Sequence, residues 1–264
     1  MYAKKSLGQH FLTSQGALAK IIEAGQLKKS DIVLEIGPGR GVLTKKLLAS
    51  GCLVIAVEKD DELVEFLKEM FEAEIKNNTL KLIHADILNF DLNKLESKTY
   101  KLIANIPYNI TGAILEKFLS AENQPELAVL LVQKEVAERI VAKNNKESIL
   151  SISVKVYGEP KYIQTVKAGS FSPAPKVDSA IIAIENISKD FFISLTPSVN
   201  TEGGFFEMLR AGFKSKRKKL SSNLSKICAK EKVRDAFQRI GLDENIRAED
   251  LSASGWINLV KNLL

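Results

Sequence analysis

The chain has 264 residues, 45% of them hydrophobic, with 15 Gly and 7 Pro, enough to bury a sizeable core and too regular for a fibrous or low-complexity protein. Thirty-eight Lys and Arg against 32 Asp and Glu give a net charge of +6, which favours a polyanionic partner without specifying one. Cys52 and Cys228 lie in no metal or redox spacing and no run approaches the roughly 18 apolar residues of a membrane span, so the expectation is a cytoplasmic protein with reduced thiols, no disulfide framework, no metal and no membrane partner.

Residues 4–12 form a basic, polar lead-in suited to lie across a site rather than within a core. Leu18, Ile21, Ile22 and Leu27 recur at helical spacing and predict an amphipathic helix over 17–27. The first strong α/β signal follows: an apolar strand over 31–36, the turn Gly37-Pro38-Gly39-Arg40-Gly41, and a helix over 42–48, together the opening of a dinucleotide-type βαβ unit. Glycines there let backbone approach a ligand closely. Their spacing is G-x-G-x-G rather than the G-x-G-x-x-G that cradles a pyrophosphate, which points away from NAD. The next strand, 52–57, ends in Glu58, about twenty residues past Gly37, where a carboxylate accepts bonds from both ribose hydroxyls.

Leu63, Phe66, Leu67, Met70 and Phe71 predict the crossover helix. A strand over 80–85 leads to Asp86, whose carboxylate either accepts from an adenine amino group or caps a turn. Another strand, 100–104, runs into Asn105-Ile106-Pro107-Tyr108. The Asn105 carboxamide and the Ile106 main-chain carbonyl can both accept from one exocyclic NH2 group while Tyr108 stacks on the ring that carries it. The alternative is a buried Asn closing a strand before a proline turn. A helix through Ile114, Leu115, Phe118 and Leu119 follows, then a strand over 127–132 that is apolar throughout, as in one covered on both faces. Residues 148–157 fit either period and are assigned to helix. A strand over 162–166, a loop over 171–179 stiffened by Pro173 and Pro175, and a last strand over 180–184 complete this part, with Phe171 offering a second aromatic face.

Beyond Ile187 only helical patterns occur, so the chain divides into an α/β domain over 1–186 and a helical domain over 187–264. Phe205, Phe206, Leu209 and Phe213 share one helical face; further helices run through Val233, Phe237 and Ile240 and through Trp256, Ile257, Val260 and Leu263. Between them, Lys214, Lys216, Arg217, Lys218 and Lys219 are five cations in six residues with no acid among them. That suits a phosphate backbone, the alternative being a solvated helix end.

Gly37, Glu58, Asp86 and Asn105 at successive strand ends describe a nucleoside pocket with no phosphate grip. S-adenosylmethionine fits it, with main chain near His10 to Leu12 available to the methionine zwitterion. The N6 amine of adenine is a poor nucleophile because its lone pair is delocalised into the ring. Acceptors at Asn105 and Ile106 would localise that pair for in-line transfer, and Tyr108 with Phe171 would hold the base out of its stack.

Four motifs, Lys5 to Leu12, Glu35 to Gly41, Asn105-Ile106-Pro107-Tyr108-Asn109 and Phe171 to Ser179, together resemble the ribosomal RNA adenine N6-dimethyltransferases. The resemblance is strongest to the KsgA-type branch, which dimethylates two adjacent adenosines in a hairpin loop near the 3′ end of 16S ribosomal RNA. It covers the catalytic domain nearly end to end and the helical domain more loosely. It implies a Rossmann-like class I methyltransferase sheet with helices on both faces, a small all-helical C-terminal domain, and S-adenosylmethionine as methyl donor. The expected partner is the small ribosomal subunit precursor, with the chain acting as a monomer. Residue by residue, the resemblance implies His10 and Leu12 at the methionine end of the cofactor, Gly37 at the glycine turn, Glu58 on the ribose and Asp86 on the cofactor adenine. It puts Asn105 at the methyl-transfer centre, shared by cofactor and base. Many relatives carry Asn where this chain has His10, so a contact there is either through main chain or altered. Two alternatives stay open: the branch that dimethylates an adenine of 23S RNA, and a mainly non-catalytic ribosome-assembly factor. Val177-Asp178-Ser179 and the long C-terminal part favour the small-subunit branch.

Overall fold

In the computed structural model, residues 4, 8–95, 99–193 and 201–263 are described; Lys5, Ser6 and Leu7 of the lead-in motif lie outside the described residues. In chain order the elements are β1 (Phe11–Leu12), α1 (Gln15–Ala24), β2 (Ile32–Ile36), α2 (Val42–Ala49), β3 (Leu53–Glu58), α3 (Asp61–Met70), α4 (Glu72–Lys76), β4 (Leu80–His84), β5 (Lys101–Asn105), α5 (Thr111–Leu119), β6 (Leu127–Gln133), α6 (Lys134–Val141), α7 (Ile149–Lys155), β7 (Glu159–Val166), β8 (Phe171–Ser172) and β9 (Ser179–Glu185). The helices α8 (Asp190–Ile193), α9 (Thr201–Gly212), α10 (Leu220–Leu224), α11 (Lys230–Arg239) and α12 (Ala253–Leu263) follow. The chain separates into two compact units, Met1–Ala137 with Glu159–Ile187, and Glu138–Gly158 with Ser188–Leu264. The segment Glu138–Gly158 thus groups with the C-terminal helices although it precedes two strands of the sheet.

In the first unit seven strands form one sheet in the order β4-β3-β2-β5-β6-β9-β7. The pairs from β4 through β6 are parallel and β9 runs antiparallel to both its neighbours. Residues Leu127–Val132 of β6 are all buried, as in a strand covered on both faces. Strand order reverses between β2 and β5, and ligands of open α/β sheets bind outside the carboxyl ends of the strands at such a switch point. A separate two-stranded ribbon pairs Leu12 of β1 with Phe171 of β8.

Local chemistry explains where the elements start. Ser14 caps α1 by accepting from the Ala17 N–H, and Asp60 caps α3 by accepting from Glu62, each answering a helix donor that has no partner within the helix. At the start of α2, Gly41 adopts φ +72°, and a Cβ there would stand 2.6 Å from the Phe71 ring, so only glycine lets this helix begin against that ring. Lys101 is buried in β5, and its ammonium is answered by the carbonyls of Gly25 and Gln26 and by Asp31 at 2.7 Å, as a buried charge requires.

In the second unit, the segment that fits two periods is helix α7, and a capping box decides it. Ser148 Oγ accepts from the Ser151 N–H while Ser151 Oγ accepts from the Ser148 N–H, which fixes the first turn. Trp256 of α12 is fully buried; its Nε1 donates to the Ala248 carbonyl at 3.1 Å and its ring stacks on Phe213. Among the described residues no helix is long and apolar enough to cross a membrane.

Candidate active site

The carboxyl ends of β2, β3, β4 and β5 wall one cavity of about 220 Å³, and His10, Leu12, Gly37, Glu58, Asp86, Asn105 and Tyr108 all line it. Phe171 does not.

Gly37 follows β2 with φ +62°, its N–H donating to the Val57 carbonyl. A Cβ added at Gly37 would meet nothing within 4 Å, so the missing side chain leaves space in the cavity wall. Glu58, at the end of β3, has both carboxylate oxygens oriented by main chain: Oε1 accepts from Lys59 and Asp60, and Oε2 accepts from Gly39 at 3.1 Å. Burial raises its pKa while these three bonds oppose the rise, and Oε2 keeps a lone pair for a hydroxyl donor. Asp86 closes a turn with one oxygen and pairs with a lysine through the other. Oδ1 accepts from the Leu88 N–H, closing a turn, and Oδ2 holds the Lys59 ammonium at 2.8 Å. That ammonium bond is the main reason the Asp86 carboxyl titrates below its ordinary value.

The lead-in lies along the same cavity and is tied on both sides. Gln9 Nε2 and Lys4 Nζ both donate to the carboxylate of buried Asp60. Its main-chain carbonyl at His10 accepts from Asn105 Nδ2 at 3.0 Å, and the His10 ring bonds the Pro173 carbonyl through Nδ1. A carbonyl can be answered only by the amide nitrogen, so this bond sets the orientation of the Asn105 carboxamide and leaves Oδ1 as the acceptor. His10 thus makes two contacts, main chain to Asn105 and ring to the proline loop. Tyr108 is held at its hydroxyl, 2.6 Å from Ser179 Oγ, and the His10 ring lies nearly parallel to it at 5.8 Å between centroids.

Phe171 requires a correction. Pairing of β8 with β1 turns its ring inward, where it is 5% exposed and packs in the core with Leu12, Ala17 and Leu18. It supports the strap that the lead-in through His10 and β1 forms over the cavity, and does not offer the second stacking face expected from its place at the head of the proline loop.

One group in the wall was not singled out in the sequence. Glu35, in β2, is 1% exposed and lines the cavity; burial raises its pKa to about 8. Its signal was an acid inside a five-residue strand otherwise made of Ile, Val and Leu. Two cations also line the cavity, but Lys59 is turned to Asp86 and Arg40 lies 4.6 Å above the Phe11 ring.

Three acidic residues, Glu35, Glu58 and Asp86, thus line this cavity. A nucleoside cofactor that carries no phosphate and has a cationic sulfonium suits such walls, and the molecule is a class I methyltransferase with S-adenosylmethionine as its methyl donor. Over residues 1–264 the sequence matches the family described as ribosomal RNA adenine dimethylase, and the chain belongs to that family. It is 43% identical over 258 residues to ribosomal RNA small subunit methyltransferase A of Dehalococcoides mccartyi, covering 96% of this chain and 86% of the relative. The protein of the same name in Fusobacterium nucleatum is 38% identical over 261 residues, 98% and 96% of the two chains. Among solved structures, a dimethyladenosine transferase from Plasmodium falciparum superposes with a TM-score of 0.81 at 29% identity, over 95% of this chain and 96% of that one. The 23S rRNA methyltransferase ErmE superposes with a TM-score of 0.77 at 25% identity, over 96% and 99%.

In the second unit, Lys214 to Lys219 form the turn between α9 and α10. All five cations are exposed, and none is paired with a carboxylate among the described residues.

Proposed function

We propose that the enzyme dimethylates the N6 amines of two adjacent adenosines in the 3′-terminal hairpin loop of small-subunit ribosomal RNA, in the cytoplasm, during assembly of the small subunit. The observation that carries the chemistry is the Asn105 carboxamide, whose nitrogen is engaged by the strap so that its oxygen remains to accept from an amine. The choice of RNA is supported by the names and identities of the small-subunit relatives.

When bound, S-adenosylmethionine supplies a methyl group made electrophilic by its sulfonium. The residues of the chain do the rest. Glu58 and Asp86 present acceptors to the ribose and adenine of the cofactor, and the open wall at Gly37 lets main chain approach it. Asn105 Oδ1 and the Ile106 carbonyl accept from the two N6 hydrogens of the target, which localises the nitrogen lone pair. Tyr108, steadied by Ser179, supplies the face on which the extruded base stacks, worth about 1–3 kcal/mol. The N6–C bond forms as the S–C bond breaks, and the surplus proton, acidic on the alkylated nitrogen, passes to water. A second round on the same nitrogen gives the dimethylated base.

Purified protein and labelled S-adenosylmethionine should label unmethylated 30S particles and leave free 23S RNA unlabelled; label in 23S RNA alone would overturn the choice of substrate. The turn at 214–219 is proposed to hold the RNA backbone. Replacing Lys216, Arg217 and Lys218 together by Ala should weaken RNA binding and reduce the slope of log affinity against log salt by about 2, measured by filter binding from low to physiological salt. An unchanged slope would remove that role.

A further inference from the structure

The cations of the 214–219 turn are exposed and pair with no carboxylate among the described residues, yet the backbone beneath them is held from inside the helical unit. Asn223, in α10, is 1% exposed, and its Nδ2 donates to two carbonyls: Gly212 at 2.7 Å, where α9 ends, and Ser215 at 3.0 Å, within the turn. The Ser215 carbonyl also accepts from the Lys218 N–H, and the Leu220 N–H that ends the turn donates to Ile246. Gly212 itself packs its backbone against Trp256, whose ring stands 2.3 Å from where a Cβ would be, so that end of the turn admits no side chain.

We infer that Asn223 is a positioning residue for RNA binding, a buried bracket whose two N–H bonds hold the turn in the one shape that presents Lys216, Arg217, Lys218 and Lys219 together. This rests on the reading of the turn as an RNA contact. Two carbonyls can be answered only by a group with two donors, which the Asn NH2 provides and which neither a carboxylate nor a single hydroxyl can. A preformed turn loses less conformational entropy when it meets phosphates than one that must order on contact. Without the bracket the charges remain but no longer converge.

The test is a graded series in the full-length protein, Asn223→Ser, Asn223→Ala and Asn223→Asp, binding an RNA fragment that carries the 3′-terminal small-subunit hairpin. Asn223→Ser keeps one donor, Asn223→Ala keeps none, and Asn223→Asp puts oxygen against both carbonyls. Affinity should fall in that order, by about tenfold for Asn223→Ala, with a smaller salt slope and with S-adenosylmethionine affinity unchanged, since the cofactor residues lie in the other unit. In a chain already carrying the Lys216, Arg217 and Lys218 alanines, Asn223→Ala should add almost nothing. A purely structural role would instead lower affinity equally in both backgrounds and would not follow the donor count, and either result overturns the inference. Wild-type affinity and slope in Asn223→Ala, beside a weakened triple variant, sinks the bracket alone. An unaffected triple variant sinks the RNA reading of the turn and the bracket with it. If Asn223→Ala fails to fold, Asn223→Ser and the exchange rate of the Lys218 amide proton carry the same test.

Discussion

Asn105→Ala is expected to lower methyl transfer by on the order of 10³-fold, the scale of losing one preorganised hydrogen-bonding group at a reacting centre, while S-adenosylmethionine still binds within about twofold. The side chain ends β5 at the cavity, and its nitrogen is already committed to the His10 carbonyl at 3.0 Å. Its oxygen is therefore the part that can meet the target amine. Asn105→Asp separates the two halves of this role. It keeps an acceptor for the amine but loses the donor that ties down the strap and sets a negative oxygen against the His10 carbonyl. Activity should fall steeply in that variant as well, now with weakened cofactor affinity because the negative oxygen repels the His10 carbonyl and pushes the strap away, which alanine does not do. Single-turnover transfer and isothermal titration read the two effects separately; wild-type transfer in Asn105→Ala would refute the role.

A second large effect concerns stability. Glu35 is buried in the cavity wall, and burial moves its pKa from the ordinary 4.5 to about 8. Between those values the folded chain holds a proton at this site that the unfolded chain has released. Stability from this site is therefore fully present below about pH 4.5 and is lost as pH rises through about 8, at up to about 1.4 kcal/mol per pH unit. Glu35→Gln cannot titrate. Thermal unfolding followed from pH 5.5 to 8.5 should show the wild type losing stability relative to Glu35→Gln, with the gap widening steadily. Parallel curves would mean that Glu35 is ionised throughout and has a partner that the fold conceals.

What could be read in advance was local. Strands leading into Gly37, Glu58, Asp86 and Asn105 announce themselves by largely apolar, β-prone stretches of five or six residues, and the parallel sheet then brings those ends to one edge without further information. The couplings across the chain could not be read this way. The bond from Asn105 to His10 spans 95 residues and that from His10 to Pro173 spans 163; nothing in either segment signals the other. Phe171 was misjudged for the same reason, since its inward turn follows from β8 pairing with β1. Helix α6 was not anticipated because it begins at Lys134, directly after β6 ends at Gln133, with no turn residue between them. Residues 148–157 were ambiguous by periodicity, and what settles them is the reciprocal pair Ser148 and Ser151, a signal of capping rather than of hydrophobic spacing.

The most direct test of the central claim is mass mapping of RNA from unmethylated small subunits after incubation with the purified protein and S-adenosylmethionine. Two neighbouring N6,N6-dimethyladenosines in the 3′-terminal hairpin loop are expected, and neither should form with Asn105→Ala. Methyl groups on a ring nitrogen, on a ribose or on another base, or none at all, would contradict an exocyclic amine activated at Asn105.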